Sequence, residues 1–447
     1  MPLASHALLA AIALLQPASQ PANQPANQPA NHPSWQAQET SLARATQLTF
    51  ADRYAKAGES YFSHPRNAAT KDMIVFQATR VPTSGDASPF YAMEVAPLRT
   101  DNDAISLGES VRISPEGSAN TCGWFHPTQP RILFGSTLTA PASDEKSGFR
   151  VGTRRYVWQF PKEMDIVSVS IYDSLFNDAK QPSLSADTNA FASTPTPLFT
   201  RDLYDAECSF DSSGRFVLYT HVVPSTTDAN ASTDASAGED IDGNIAIFDT
   251  KTGNHHALVT AKGYDGGPFF SADDQWICYR SDRLGNDKLQ LFVAKLKFAL
   301  ESDGTPVPIG IEQEFQITHN EHVNWAPFWH PSGDYLIYAS SEAGHSNYEL
   351  FVVEVPRAQL LAGKDPATLR TRRITFAPGA DILPAFNHDG TKLMWTSQRA
   401  GKLQGQDRPT SQLWIADWKG IDFDAPAALL AAPPAPPIKR ETTPVTD

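Results

Sequence analysis

Seven side chains of this chain fall at recurring positions where they could do chemistry. Asp205 and Glu207, Asp265, the group His319, His322 and Asn324, and Asp381 each stand a few residues ahead of an aromatic-rich apolar segment. Carboxylates gathered at one place attract a hard cation such as Ca²⁺, with carbonyls and water completing its shell, and Ca²⁺ is the one cofactor this set suggests. The same Asp side chains can instead brace turns, accepting bonds from neighbouring backbone N–H groups in repeat after repeat. His319 and His322, three apart in HNEH, can chelate zinc, but they have no third ligand nearby and no helical HExxH around them. Asp205, Glu207 and His322 can also be cast as the acid and base of a hydrolase or lyase. Neither a GxSxG nucleophile elbow nor a GxxxxGK[ST] phosphate loop is present.

Residues so far apart meet only if a repeating architecture brings them together. The stretch WAPFWHPSGDYLIYASSEAGHSNYELFVVEV, Trp325 to Val355, reads as an apolar segment, a polar turn, an alternating strand, a loop and a second strand. The pattern returns from Pro268 and Pro384, with QLWIADW as the far strand of the last copy, and in poorer copies from Cys208, Gly123 and Tyr61. Repeats of roughly 40 to 60 residues, each a small antiparallel sheet, specify a propeller. A second series agrees: an aliphatic or aromatic residue followed by Ser or Thr at Leu48–Thr49, Ile113–Ser114, Phe199–Thr200, Val259–Thr260, Ile317–Thr318 and Ile374–Thr375. Each pair precedes an inner strand whose start is read at Ser63, Phe125, Phe210, Phe270, Trp329 and Phe386. The expectation is an all-β, six-bladed propeller, with Gln47 to Phe50 pairing with QLWIADW so that an N-terminal strand closes the last blade and leaves no open edge. The loops entering the inner strands then converge at one mouth of the channel and carry the seven residues to it. RYVWQF and MDIVSVSI, between the second and third repeats, are expected to complete blade two.

The formal charge of −14 and the lack of any Lys/Arg cluster exclude a nucleic-acid partner. Ala7 to Leu15 is a compact apolar run followed by small residues, read as a secretory signal over residues 1–19 although no basic residue precedes it. It is too short to span a bilayer, so no transmembrane segment is expected. Residues 20–41, with their QPAN repeats, read as a disordered spacer, 42–420 as the propeller, and the Pro/Ala-rich 421–447 as a disordered tail. Residues 1 to 40 are accordingly expected to be dispensable for stability. Pro224 to Asp240 reads as a mobile acidic loop. Of three cysteines, Cys278 belongs to a core strand, whereas Cys122 and Cys208 precede inner strands of consecutive repeats and can either bridge or remain buried thiols. His64, His126 and His330 stand before a turn Pro and are expected to brace their turns.

The repeat, with its Pro, aromatic, His-Pro and Asp/Ser-Gly turn and Tyr-x-Leu-Phe strand, resembles the WD40-like PD40 repeats of TolB-type propellers from about Leu42 to Trp418. LYDAECSF at Leu203, GYDGGPFF at Gly263, NWAPFWHPSG at Asn324 and RYVWQFPKEMDI at Arg155 are similar to longer phrases of exported TolB-like proteins. The separate α/β domain that precedes the propeller in TolB has no counterpart among the residues ahead of the first strand. The resemblance implies an exported module, periplasmic or secreted and monomeric, that binds a protein segment or an envelope polymer without catalysis. The alternative is a propeller hydrolase or lyase acting on carbohydrate or peptide in the central funnel.

Overall fold

The strands of each repeat are apolar on both faces: Met73–Arg80, Trp276–Ser281, Tyr335–Ser340 and Lys392–Ser397 are buried almost throughout, whereas in the outer strand Thr371–Arg373 the first residue is exposed and the other two half-buried. Sheets whose middle strands must be covered on both sides bury them by stacking face to face about an axis, and such stacking closes into a ring. The computed structural model describes residues 35–67, 72–142, 148–150, 155–157, 160–171, 192–224, 241–286, 288–402, 406 and 408–424. The apolar run Ala7–Leu15, the QPAN repeats, the acidic loop from 225 to 240 and the tail from 425 onward lie outside these residues.

The ring has six blades, each an antiparallel sheet. Their innermost strands are Tyr54–Phe62, Asn120–Phe125, Asp205–Phe210, Asp265–Phe270, Asn324–Trp329 and Asp381–Phe386. Each touches the innermost strand of the blade on either side, and that of blade 6 meets that of blade 1. Buried clusters fill the interfaces between blades, such as Ile74 and Phe76 of blade 1 with Met394 and Leu413 of blade 6. The closing strand is Leu42–Gln47, paired antiparallel with Gln412–Trp418 in the register Leu42 to Trp418 and Gln47 to Trp414. Closure therefore occurs as expected, but several residues ahead of Gln47–Phe50. Beyond the strand, Leu48 N–H still bonds Leu413 O, and Leu413 N–H is taken by Thr49 Oγ1. Ser114, Thr318 and Thr375 likewise accept the N–H of Met93, Leu291 and Leu350, which explains why a hydroxyl residue ends so many outer strands.

Three expectations are corrected. Phe125, Phe210, Phe270, Trp329 and Phe386 end the inner strands instead of starting them, so the Asp and Asn residues ahead of them are the first strand residues and not loop residues. Arg155–Val157 pairs with Gly148–Arg150 in a separate hairpin, while Asp165–Ser170 alone joins blade 2, whose outer strand is Thr196–Pro197. Residues on both flanks of the ring, assigned to spacer and tail by composition, pack on it: Glu39 is buried against Arg399, and Ile421 and Phe423 lie on the core. The turn histidines do brace their turns, with Nδ1 of His64, His126 and His330 accepting the N–H of Arg66, Thr128 and Ser332. His126 and His330 also pack on Gly214 and Gly390 of the following blade, where an added Cβ would lie 2.4 Å from the ring.

Candidate functional site in the channel

Aligned on their terminal aromatic residues, the six inner strands end AGESYF, NTCGWF, DAECSF, DGGPFF, NWAPFW and DILPAF. The third residue of every hexapeptide has positive φ: Glu59 (36°), Cys122 (50°), Glu207 (58°), Gly267 (61°), Ala326 (52°) and Leu383 (54°). At the same place each strand shifts register against its neighbour, a bulge that turns the third side chain out of the sheet. An inner strand has a free edge toward the axis, so bulges and Pro268, Pro327 and Pro384 are tolerated there. All six bulge residues line one cavity of ≈ 720 Å³ on the axis.

The fifth position closes the channel. Tyr61 and Phe269, from opposite blades, have ring centroids 5.6 Å apart, and Trp124 and Phe328, also opposite, 6.2 Å. Rings in contact across the axis leave no through-passage, so the cavity is a blind funnel with an aromatic floor. Lys56, Phe90, Tyr91, Phe160 and Tyr204 stand in its wall.

The ionisable groups of the floor lie on blades 1 to 4. Glu207 takes four donors: Thr220 Oγ1 (3.1 Å), Tyr264 OH (2.5 Å), Gly267 N–H (2.5 Å) and Arg280 Nη2 (3.2 Å). Two consecutive glycines make this possible. A Cβ on Gly266 would lie 2.2 Å from Tyr264 OH, and one on Gly267 1.9 Å from Arg280 Nη1. Glu59 accepts from Tyr61 OH at 3.0 Å, from Gln77 and from the Cys122 thiol. Burial pushes the Glu59 carboxyl up against the effect of these bonds, and the nearby Glu207 pushes the same way. Burial likewise raises Cys122, Tyr61 and Tyr264. It works against the Arg280 charge, but Glu207 and its other neighbours outweigh it and hold the guanidinium protonated. Cys122 and Cys208 are free thiols, with Cys208 Sγ 3.8 Å from Cys122 O.

Of the seven residues singled out in the sequence, Glu207 alone is in the cavity lining. Asp205, fully buried, meets His221 Nδ1 at 2.8 Å, and its second oxygen is 4.0 Å from Arg201 Nε. Asp265 accepts from Arg283 Nη2 at 3.0 Å and Ala261 N–H at 3.1 Å; burial pushes its carboxyl up to about 6, with Ser281 and Arg283 opposing. Asp381 is bonded by Arg399 Nη2 (2.8 Å) and Trp395 Nε1 (3.1 Å). Asn324 is buried, with Nδ2 2.8 Å from Asn320 Oδ1. His322 is half-buried and its carbonyl accepts from Gln290, and His319 is exposed with Nε2 3.1 Å from Gln316 O. Among the described residues no three His, Cys, Asp or Glu side chains converge to hold a metal ion. Glu59, Cys122, Tyr264 and Arg280 were missed. The signal for the first two was available in the third position of the aligned hexapeptides.

Five four-stranded sheets and one five-stranded sheet, stacked around a blind axial funnel, define a six-bladed β-propeller whose repeats resemble those of TolB-type propellers. No family model matches the chain. It is 28% identical over 155 residues to the Tol-Pal system protein TolB of Wolinella succinogenes, a stretch covering 34% of this chain and 30% of that protein, so the match spans less than a third of the relative's length. Among solved structures it is similar to TolB from Acinetobacter baumannii (11% identity, TM-score 0.39, covering 82% of this chain and 65% of that one). It is also similar to oligogalacturonate lyase from Vibrio parahaemolyticus (11% identity, TM-score 0.40, covering 83% and 93%). At such identities and scores the structural likenesses carry no functional argument. No helix among the described residues is long and apolar enough to cross a membrane.

Proposed function

We propose that the protein is a non-catalytic binding propeller of the periplasm or cell exterior that receives a protein segment in its axial funnel. The observation that carries this reading is a cavity of ≈ 720 Å³, closed at its floor, with Glu207 already accepting four hydrogen bonds. A carboxylate has about four lone-pair sites, so Glu207 has no vacant site for a substrate proton and acts as a brace for the floor. A concave wall that mixes apolar side chains with polar groups held by hydrogen bonds suits recognition. The repeat resemblance and the partial match to a Tol-Pal system protein support an exported location.

A second reading is favoured by Glu59. This carboxyl, raised by burial, faces the same cavity as the ion-paired Glu207, an arrangement that could supply a general acid for a hydrolase or lyase acting on carbohydrate or peptide.

Peptides selected on the wild-type protein provide the test. Leu383→Trp fills the funnel from its sixth wall, whereas Leu361→Trp changes an exposed residue. Peptide affinity should fall at least about tenfold in the first variant and persist in the second. Equal binding by both would remove the funnel as the site. Turnover of peptides or oligosaccharides by wild type, lost in Glu59→Gln, would replace binding with catalysis.

A further inference from the structure

The unspent polar side-chain atoms on blades 4 and 5 of the floor are all donors. Arg280, whose side chain is 9% exposed, spends Nη2 on Glu207 and on Tyr264 OH (2.8 Å). Among the described residues its buried Nε has no acceptor, and both bonds above are made by Nη2. Nη1 instead occupies the space that the missing Gly267 side chain leaves beside the axis. Trp325, on the neighbouring blade and in the lining of the same cavity, has a buried Nε1 that is also without an acceptor among the described residues.

The strands that carry the two donors are neighbours. The Arg280 strand, Trp276–Ser281, packs against the inner strand Asn324–Trp329 of blade 5, and Cys278 Sγ lies 3.9 Å from Pro327 O. These strands run in opposite directions, so two residues onward from Cys278 the backbone of Arg280 comes level with that of Trp325. Ala326, Pro327 and Leu383 offer no side-chain acceptor there. A buried donor left unpaired bears the cost of its lost hydration, and few buried polar groups in natural proteins are left so. An oxygen-bearing ligand would satisfy both.

We propose that the bound segment enters the funnel carboxylate-first, and that Arg280 and Trp325 Nε1 hold its C-terminal carboxylate. This inference rests on the funnel being the peptide site. Glu207 is the one adverse charge bonded to Arg280, and the four donors it accepts already disperse it. Glu59 stands in the same lining, and burial pushes its carboxyl up. Lys56, placed over the Tyr91 ring at 4.0 Å in the funnel wall, contributes a positive charge along the entry path. Planar guanidinium groups suit carboxylates because their N–H donors match the two oxygens.

The experiment uses the full chain and the peptide acetyl-Ala-Ala-Phe, as free acid and as C-terminal amide, with digalacturonate as the carbohydrate source of the same group. The free acid should bind at least about tenfold more tightly than the amide, and the gap should shrink to within about threefold in Arg280→Gln. Trp325→Phe keeps the ring and removes only Nε1. It should lose at least about threefold for the acid while leaving the amide unchanged, and it carries the test if Arg280→Gln does not fold. Equal affinity for acid and amide, with binding still abolished by Leu383→Trp, overturns the carboxylate inference and leaves the binding reading intact. Binding of digalacturonate with the same Arg280 dependence, without binding of the peptide acid, overturns the peptide source. Peptide binding that Leu383→Trp leaves unchanged overturns the funnel reading itself.

Discussion

Removing the Glu39 side chain should loosen the closure of the ring. Glu39 precedes the closing strand and is 5% exposed; its oxygens accept from Arg399 Nη1 (3.0 Å) and Nη2 (3.1 Å) and from Phe376 N–H (3.0 Å). Arg399, 1% exposed, also holds Asp381 and lies beneath the Trp35 ring at 5.1 Å. Glu39→Ala strands a buried guanidinium with one carboxylate and leaves a backbone donor without its partner. Breaking a buried pair from one side costs about 3–5 kcal/mol, and because Asp381 still neutralises Arg399 the lower figure applies, about 3 kcal/mol. At roughly 2.1 cal/mol/K per residue, a ring of about 390 residues has an unfolding entropy near 0.8 kcal/mol/K, so Tm should fall by about 4 °C. Urea unfolding followed by tryptophan fluorescence should show a lower midpoint with an unchanged slope. Glu39→Gln, which keeps an acceptor for Phe376 N–H, should lose less, and the exposed Gln36→Ala nothing. A truncation through Thr40 should lose at least as much as Glu39→Ala, contrary to the dispensability expected from composition. A truncated chain as stable as wild type would refute the reasoning.

Asp265→Ala should cost about 3 kcal/mol in urea titration, at the low end for a broken buried pair because Arg283 keeps Glu314 at 2.7 Å. Gly267→Ala should destabilise by about 1–3 kcal/mol, more than Gly253→Ala: both have positive φ, but only the first drives a Cβ into Arg280. Glu349, buried beside Asp381, has its carboxyl pushed up by burial first and by Asp381 second, to about 9. Between the ordinary carboxylate range and that value the folded chain binds a proton that the unfolded chain lacks, so stability should decline as pH rises through the window. Glu349→Gln should flatten a slope of at most about 1.4 kcal/mol per pH unit. On the acid side, burial lowers His64 to about 4 and also lowers its ring partner His388, 4.3 Å away. The unfolded chain then binds the extra protons, so stability should fall from about pH 6.5 towards 4, and His64→Asn should reduce that fall in pH-jump unfolding.

Sequence alone determined the all-β character, the count of six blades and the fact of closure, because each rests on local patterns that must recur in every blade. Alternating strands, polar turns and the hydroxyl residue that caps four of the outer strands are repeated answers to the same backbone hydrogen-bonding requirement. Tertiary structure decided which polar residues face one another. Asp265, Asp381 and Asn324 looked like a converging set, yet as first strand residues they turn into the blades, where Arg283, Arg399 and Asn320 bond them. Whether a side chain points to the axis depends on a bulge two residues later, set by a positive φ that non-glycine residues such as Glu59 and Cys122 do not announce. Glu207 and Arg280 are 73 residues apart and meet because neighbouring blades stack and two glycines leave room. Partnerships of that kind follow from shape complementarity between distant segments, to which no local pattern in the chain corresponds.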